Sequence, residues 1–118
     1  MMRRFMRGIA QPPLYMPLTA KQRKHLKGLA HKRQPVVLVG NAGVTPALIR
    51  EISRALDFHE LIKIRLPGVE RGRRHELLGL IIDATGVELV QEIGRVAALY
   101  RRARKPRIAL PADGGKGK

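Results

Sequence analysis

The apolar residues of this chain fall into short runs whose spacing switches between helical and extended periods. Leu26, Leu29 and Ala30 share one face of a segment otherwise rich in lysine and arginine, the stripe of an amphipathic helix over about 20–32. Thr19 with Gln22 three residues on forms a capping box at its start, and Gln34-Pro35 ends it, because proline disfavours helix in the preceding residue. Val36 to Val39 is apolar throughout and mostly β-branched, which reads as a central strand covered by helices. A second helix then starts with Thr45 as N-cap and Pro46 in the first position, where its missing N–H does no harm. Val44 can staple to Ile49, and Leu48, Ile52, Ala55 and Leu56 carry the repeat to Asp57.

Glu60 to Leu66 alternates, with Ile62, Ile64 and Leu66 on one face and Lys63 and Arg65 on the other: a half-buried strand with a basic outer side. Pro67-Gly68 closes it. A third helix is predicted from about 70 to 85, with Leu77, Leu80, Ile81 and Ala84 at core spacing and Gly86 as its stop. Strands over 87–93 and 96–100 flank a Gly94-Arg95 hairpin link. The order α-β-α-β-α-β-β predicts an α/β fold: a single compact domain with one four-stranded mixed sheet and helices packed on it. Residues 18–110 form that domain. Residues 1–17, with three prolines and no periodicity, read as a flexible basic arm, and 111–118 as a disordered Gly/Lys tail.

Charge changes the picture. The formal net charge is +15, and no acid precedes Glu51. Such a field attracts polyanions and says nothing of fold. No run approaches the length of a membrane span, and Met1 to Arg7 has no apolar stretch suited to a signal peptide, so a cytoplasmic protein is expected. Cysteine is absent, which excludes disulfides, thiolate metal sites and thiol nucleophiles. His25, His31, His59 and His75 show no metal-ligand spacing, carboxylate pairs fall at chance positions, and Ser53 stands alone in a helix. No enzyme, cofactor, metal or small-molecule substrate is expected.

Between the first strand and the second helix stands Gly40-Asn41-Ala42-Gly43. A helix entrance leaves amides unpaired and carries a partial positive charge, and glycines let a sugar-phosphate backbone approach. By itself a GxxG turn is weak evidence, since many such turns only reverse the chain. Its setting in an acid-free, basic half shifts the reading to phosphate binding. It lacks the GxGxxG pattern of dinucleotide-binding folds and the Gly-Lys-Ser/Thr ending of a phosphate-binding P-loop. Lys21, Arg23, Lys24 and Lys27 on the first helix, with Lys32 and Arg33 after it, are the candidates for flanking contacts. The aromatics are Phe5, Tyr15, Phe58 and Tyr100, and only Tyr100 falls on a predicted strand. A base-stacking sheet platform is therefore not expected.

Five blocks resemble a known family in order. They are Leu18-Thr19-Ala20-Lys21-Gln22-Arg23 with Leu29-Ala30-His31; the Gly40–Gly43 turn; Glu60-Leu61-Ile62-Lys63; Val90-Gln91-Glu92-Ile93-Gly94; and Leu99-Tyr100-Arg101. The family is the CRM domain, named for chloroplast RNA splicing and ribosome maturation, in its stand-alone bacterial YhbY-like form. The resemblance spans about 18–110 and implies a fold similar to the C-terminal domain of translation initiation factor three. It also implies RNA binding through a KH-like GxxG loop, and ribosomal RNA of precursor large subunits as partner, in large-subunit assembly. A monomer is expected. The alternative is a structural ribosomal or other general nucleic-acid-binding protein.

Overall fold

The structure, a computed structural model, describes residues 18–111. Its first helix, α1 (Ala20–His31), opens on the capping box: the Gln22 N–H donates to the Thr19 hydroxyl at 3.0 Å, and the Thr19 N–H to the Gln22 side-chain oxygen at 3.1 Å. There follow β1 (Pro35–Leu38), α2 (Pro46–His59), β2 (Leu61–Arg65), α3 (Arg71–Thr85), β3 (Glu88–Ile93) and β4 (Val96–Tyr100). The order is the one the periodicity predicts. The four strands form one sheet in the order β1-β2-β4-β3. β1 runs parallel to β2, and the other two pairings are antiparallel, so the sheet is mixed.

Strand alternation divides the core in two. Ile62 and Ile64 of β2, with Val37, Ala97 and Leu99, face a layer made by Leu48, Ile52 and Leu56 of α2 and Leu78 and Ile81 of α3. Leu61, Ala98, Val90 and Tyr100 face the other way, onto Leu26 and Ala30 of α1. α1 crosses the strands near one end of the sheet. The Arg23 guanidinium donates to the Leu89 carbonyl on β3, and that of Arg33 to the Leu61 carbonyl on β2. The segment after β4 returns along α1, where Ile108 and Leu110 join the second cluster and the Gln22 amide donates to the Pro111 carbonyl at 3.2 Å.

Two expectations are corrected. β1 is an edge strand, not a central one: Val37 is buried, but Val36 is 49% and Leu38 67% exposed. α1 ends over β2, so among the described residues nothing covers the outer face of β1, and an unbroken apolar run does not reveal its neighbours. On α3 the buried set is Leu77, Leu78, Ile81 and Thr85, while Leu80 and Ala84 are exposed. The run from Leu77 to Ile82 is nearly continuous in apolar residues, so periodicity leaves its rotation undetermined by about one residue. The basic arm 1–17 and the tail residues 112–118 lie outside the described residues.

Candidate nucleic-acid interface

The Gly40–Gly43 turn stands at one end of the sheet, where β1 leaves it. The Val39 N–H donates to the Arg65 carbonyl at 2.8 Å, the last tie to β2. The Gly43 N–H then donates to the Gly40 carbonyl at 3.0 Å and closes a tight turn with Asn41 and Ala42 at its tip. Gly40, Asn41 and Ala42 are exposed. Gly43 is buried at φ 81°, in the left-handed region that glycine alone enters freely, and lies against Leu77 and Arg73 of α3.

The entrance of α2 is more self-sufficient than a bare helix end. Thr45 is the N-cap: its hydroxyl accepts the Leu48 N–H at 3.1 Å, and its carbonyl accepts the Ile49 N–H at 3.0 Å. Pro46 has no N–H to offer. Among the described residues, the amides of Gly40, Asn41, Ala42, Val44, Thr45 and Ala47 take no acceptor. Anion binding here therefore rests on the amides of the turn and of the helix entrance, with the helix dipole behind them.

Three arginines from three elements surround this end of the sheet. Arg65 is exposed at the close of β2, level with Leu38. The Arg73 guanidinium lies beside Gly43, where an added Cβ would stand 3.9 Å from Nη2, and Glu76 holds it at 3.0 Å. Arg95 in the β3–β4 link lies against Gly68, and its carbonyl accepts the Leu66 N–H at 2.6 Å.

The α1 cations sit elsewhere. α1 packs over the Leu61–Tyr100 end of the sheet, about 13 Å along β2 from the turn end. Lys21, Lys24, Lys27 and Lys32 are exposed there. Arg23 is occupied by Leu89 and by Glu88 at 3.8 Å, and Arg33 by Leu61, so both fasten α1 to the sheet. Thus the structure unites Gly40, Asn41, Ala42 and Gly43 with Arg65, and sets Lys21, Arg23, Lys24, Lys27 and Lys32 apart from the turn, while Arg33 lines the same trough as Arg65.

Sequence reasoning did not single out Arg73 and Arg95. A signal for Arg73 was available. Arg71-Gly72-Arg73-Arg74 opens α3, and its first turn holds no acid. A helix entrance favours acids, so arginines there work against the dipole by about 0.3–1 kcal/mol each unless an anion compensates. For Arg95, a hairpin link gave no signal that it folds toward Pro67-Gly68. Among the described residues no group of three His, Cys, Asp or Glu could hold a metal ion, and no helix is long and apolar enough to cross a membrane.

The fold and the site together define a small basic α/β domain with an exposed, arginine-flanked glycine turn. The chain belongs to the CRS1 / YhbY (CRM) domain family, whose model matches residues 18–101. It is similar to a Haemophilus influenzae protein named an RNA-binding protein, with 40% identity over 94 residues, 80% of this chain and 95% of that one. A Bacillus subtilis protein, a candidate RNA-binding protein by name, is 32% identical over 95 residues, 80% of this chain and 99% of its own length. A solution structure from Staphylococcus aureus, described as a candidate RNA-binding protein, matches with a TM-score of 0.70 at 35% identity. It covers 80% of this chain and 99% of that one.

Proposed function

We propose that this protein binds RNA by gripping the sugar-phosphate backbone at the Gly40–Gly43 turn, and that it acts on ribosomal RNA during assembly of the large subunit. The observation that carries the reading is the exposed turn tip with free amides on Asn41 and Ala42, flanked by Arg65, Arg73 and Arg95. A phosphate at the tip accepts those amides, and the arginines neutralise its neighbours along the strand. The names of the relatives support RNA as the polyanion. The assembly role follows from the family resemblance. The protein acts as a cytoplasmic monomer with no catalytic step.

Replacing Asn41 and Ala42 by aspartate sets two charges against the phosphate without touching the core. The double variant is expected to fold and to lose RNA affinity; if it folds and binds RNA as tightly as the parent, the turn is not the clamp. With about five phosphates neutralised on a single strand, log affinity falls against log salt with a slope near −3.5. Sedimentation of cell extracts tests the assembly role: the protein is expected with precursor large subunits and not with translating ribosomes. Finding it in translating ribosomes makes it a resident ribosomal protein instead.

A further inference from the structure

Among the described residues, α1 covers only part of its side of the sheet, and the rest of that face lies bare. The strand registers place Leu38, Arg65, Val96 and Ile93 in one row across all four strands, immediately at the turn end. Leu38 and Ile93, at the two ends of the row, are 67% and 66% exposed. Single exposed apolar side chains are ordinary. Here two large ones share a face and straddle an arginine. Behind the row lies a trough of about 320 Å³, with Lys63, Gln91 and Ala98 on its floor and His31 and Arg33 at its wall. No carboxylate lines it. Glu92 turns to the opposite face, where it meets His75 at 3.2 Å. Lys27, one helical turn before His31, lies on the same flank of α1.

We propose that this bare half-face is a second subsite, which takes the bases of an unpaired RNA segment continuous with the strand held at the Gly40–Gly43 turn; the proposal rests on the RNA-binding reading above. Charge selects the occupant. The face offers cations and aliphatic surface with no acid, which suits a strand with anionic phosphates and flat, weakly polar rings. The chain's own first seventeen residues carry Arg3, Arg4 and Arg7 and no acid, so they are repelled from the same face. The volume is at the low end of ligand-sized clefts, about 300–1,000 Å³, which admits a splayed base and not a stacked duplex. Bases lie on Leu38, Val96 and Ile93, the Gln91 amide reaches a base edge, and Lys63 and Arg65 meet phosphates. This also gives the α1 cations a place. His31 and Arg33 line the trough instead of the turn, with Lys27 one helical turn before His31.

The test compares a short single-stranded RNA with a duplex of equal length by fluorescence anisotropy, using the full chain. The variant Leu38→Thr with Ile93→Thr keeps strand propensity, and both positions are exposed, so the fold survives, as urea unfolding will verify. It is expected to weaken single-strand binding about fivefold and to leave duplex binding within about twofold. The Asn41→Asp, Ala42→Asp variant serves as control and should weaken both. If the threonine variant binds single strands like the parent, or loses duplex equally, the subsite is overturned while the turn assignment stands. If the aspartate variant also binds normally, the RNA-clamp reading itself falls. Photo-crosslinking with thiouridine-substituted RNA gives an independent check: adducts should map to 33–38, 63–65 and 91–96, and adducts confined to α2 and α3 count against the subsite.

Discussion

The carboxylate of Glu60 accepts the backbone N–H of Ile108 at 2.7 Å, joining the end of α2 to a segment that follows the last strand. The same carboxylate accepts the N–H of Arg107 at 2.9 Å and that of Ala103 at 2.8 Å, and the Glu60 carbonyl accepts the Arg101 N–H at 3.0 Å. Glu60 is fully buried and adopts φ 67°, a conformation that costs a non-glycine residue roughly 1 kcal/mol or more. The residue remains because its side chain is the acceptor for three amides. Through them it holds Ile108 and Leu110 against α1.

Glu60→Ala should therefore lower the unfolding free energy by about 3 kcal/mol, near 1 kcal/mol for each orphaned amide. Urea unfolding measures it. Glu60→Gln keeps one acceptor oxygen but turns an N–H₂ toward one of the donors, and should fall between the two. RNA affinity of the folded variants should match the parent, since the site lies at the other end of β2. A loss below 1 kcal/mol for the alanine variant would show that the tether is incidental.

Much of the fold is legible in the sequence because local and tertiary signals agree. Thr19 and Gln22 form the expected capping box, Thr45 and Pro46 open α2 at the expected residues, and Gly86 ends α3 in the left-handed conformation. Where the pattern is uniformly apolar the reading fails, as at Val36 to Val39 and Leu77 to Ile82. Nothing there distinguishes a covered face from a bare one. The site is legible only at the turn. Its arginines come from three elements distant in sequence, and only the sheet register brings Arg65 and Arg95 to the same end as Gly43. Two of the segments that resemble the family, Glu60 to Lys63 and Leu99 to Arg101, carry tethers. The Arg101 guanidinium donates to the Ser53 carbonyl at 3.1 Å, the Thr85 carbonyl at 2.8 Å and the Asp57 carboxylate at 2.8 Å.

The two glycines of the turn should separate experimentally. Gly40 has open space where a Cβ would go, and Gly43 combines φ 81° with a Cβ position 3.5 Å from Leu77. Gly43→Ala is expected to cost about 1–2 kcal/mol in thermal or urea unfolding, and Gly40→Ala less than about 0.5 kcal/mol. Any loss of RNA affinity in Gly40→Ala then reports close approach of the backbone to the turn. Equal destabilisation by the two substitutions would contradict the turn geometry.

Arg23 and Lys27 lie one turn apart on α1 and should respond differently to neutralisation. Arg23→Gln removes a charged hydrogen bond to the Leu89 carbonyl and should cost about 1–2 kcal/mol of stability, with little change in the salt dependence of RNA binding. Lys27 is exposed with no such tie among the described residues, so Lys27→Gln should leave stability within about 0.5 kcal/mol and reduce the magnitude of the salt slope by about 1. Anisotropy titrations over a salt series decide it. A reduced slope for Arg23→Gln alone would move the phosphate contact to Arg23.

Tyr100 gives a pH prediction of definite sign. Its ring is buried in the cluster beneath α1, and its phenol is raised above the ordinary value of 10.0, chiefly by burial, then by the Glu60 charge, with Arg102 pulling the other way. In the unfolded chain the phenol titrates near 10. Below that pH both states hold the proton and the neutral phenol contributes its full stability. As pH rises from the unfolded to the folded value, the unfolded chain sheds the proton first, and stability falls. Tyr100→Phe removes the ionisation while keeping the ring, so its melting temperature should decline less than that of the parent as pH rises above about 10. Lysines also titrate in this window, but their contribution is common to both proteins and cancels in the difference. Parallel curves for the two proteins would mean that the phenol is hydrated in the folded state, and that α1 does not seal the cluster around it.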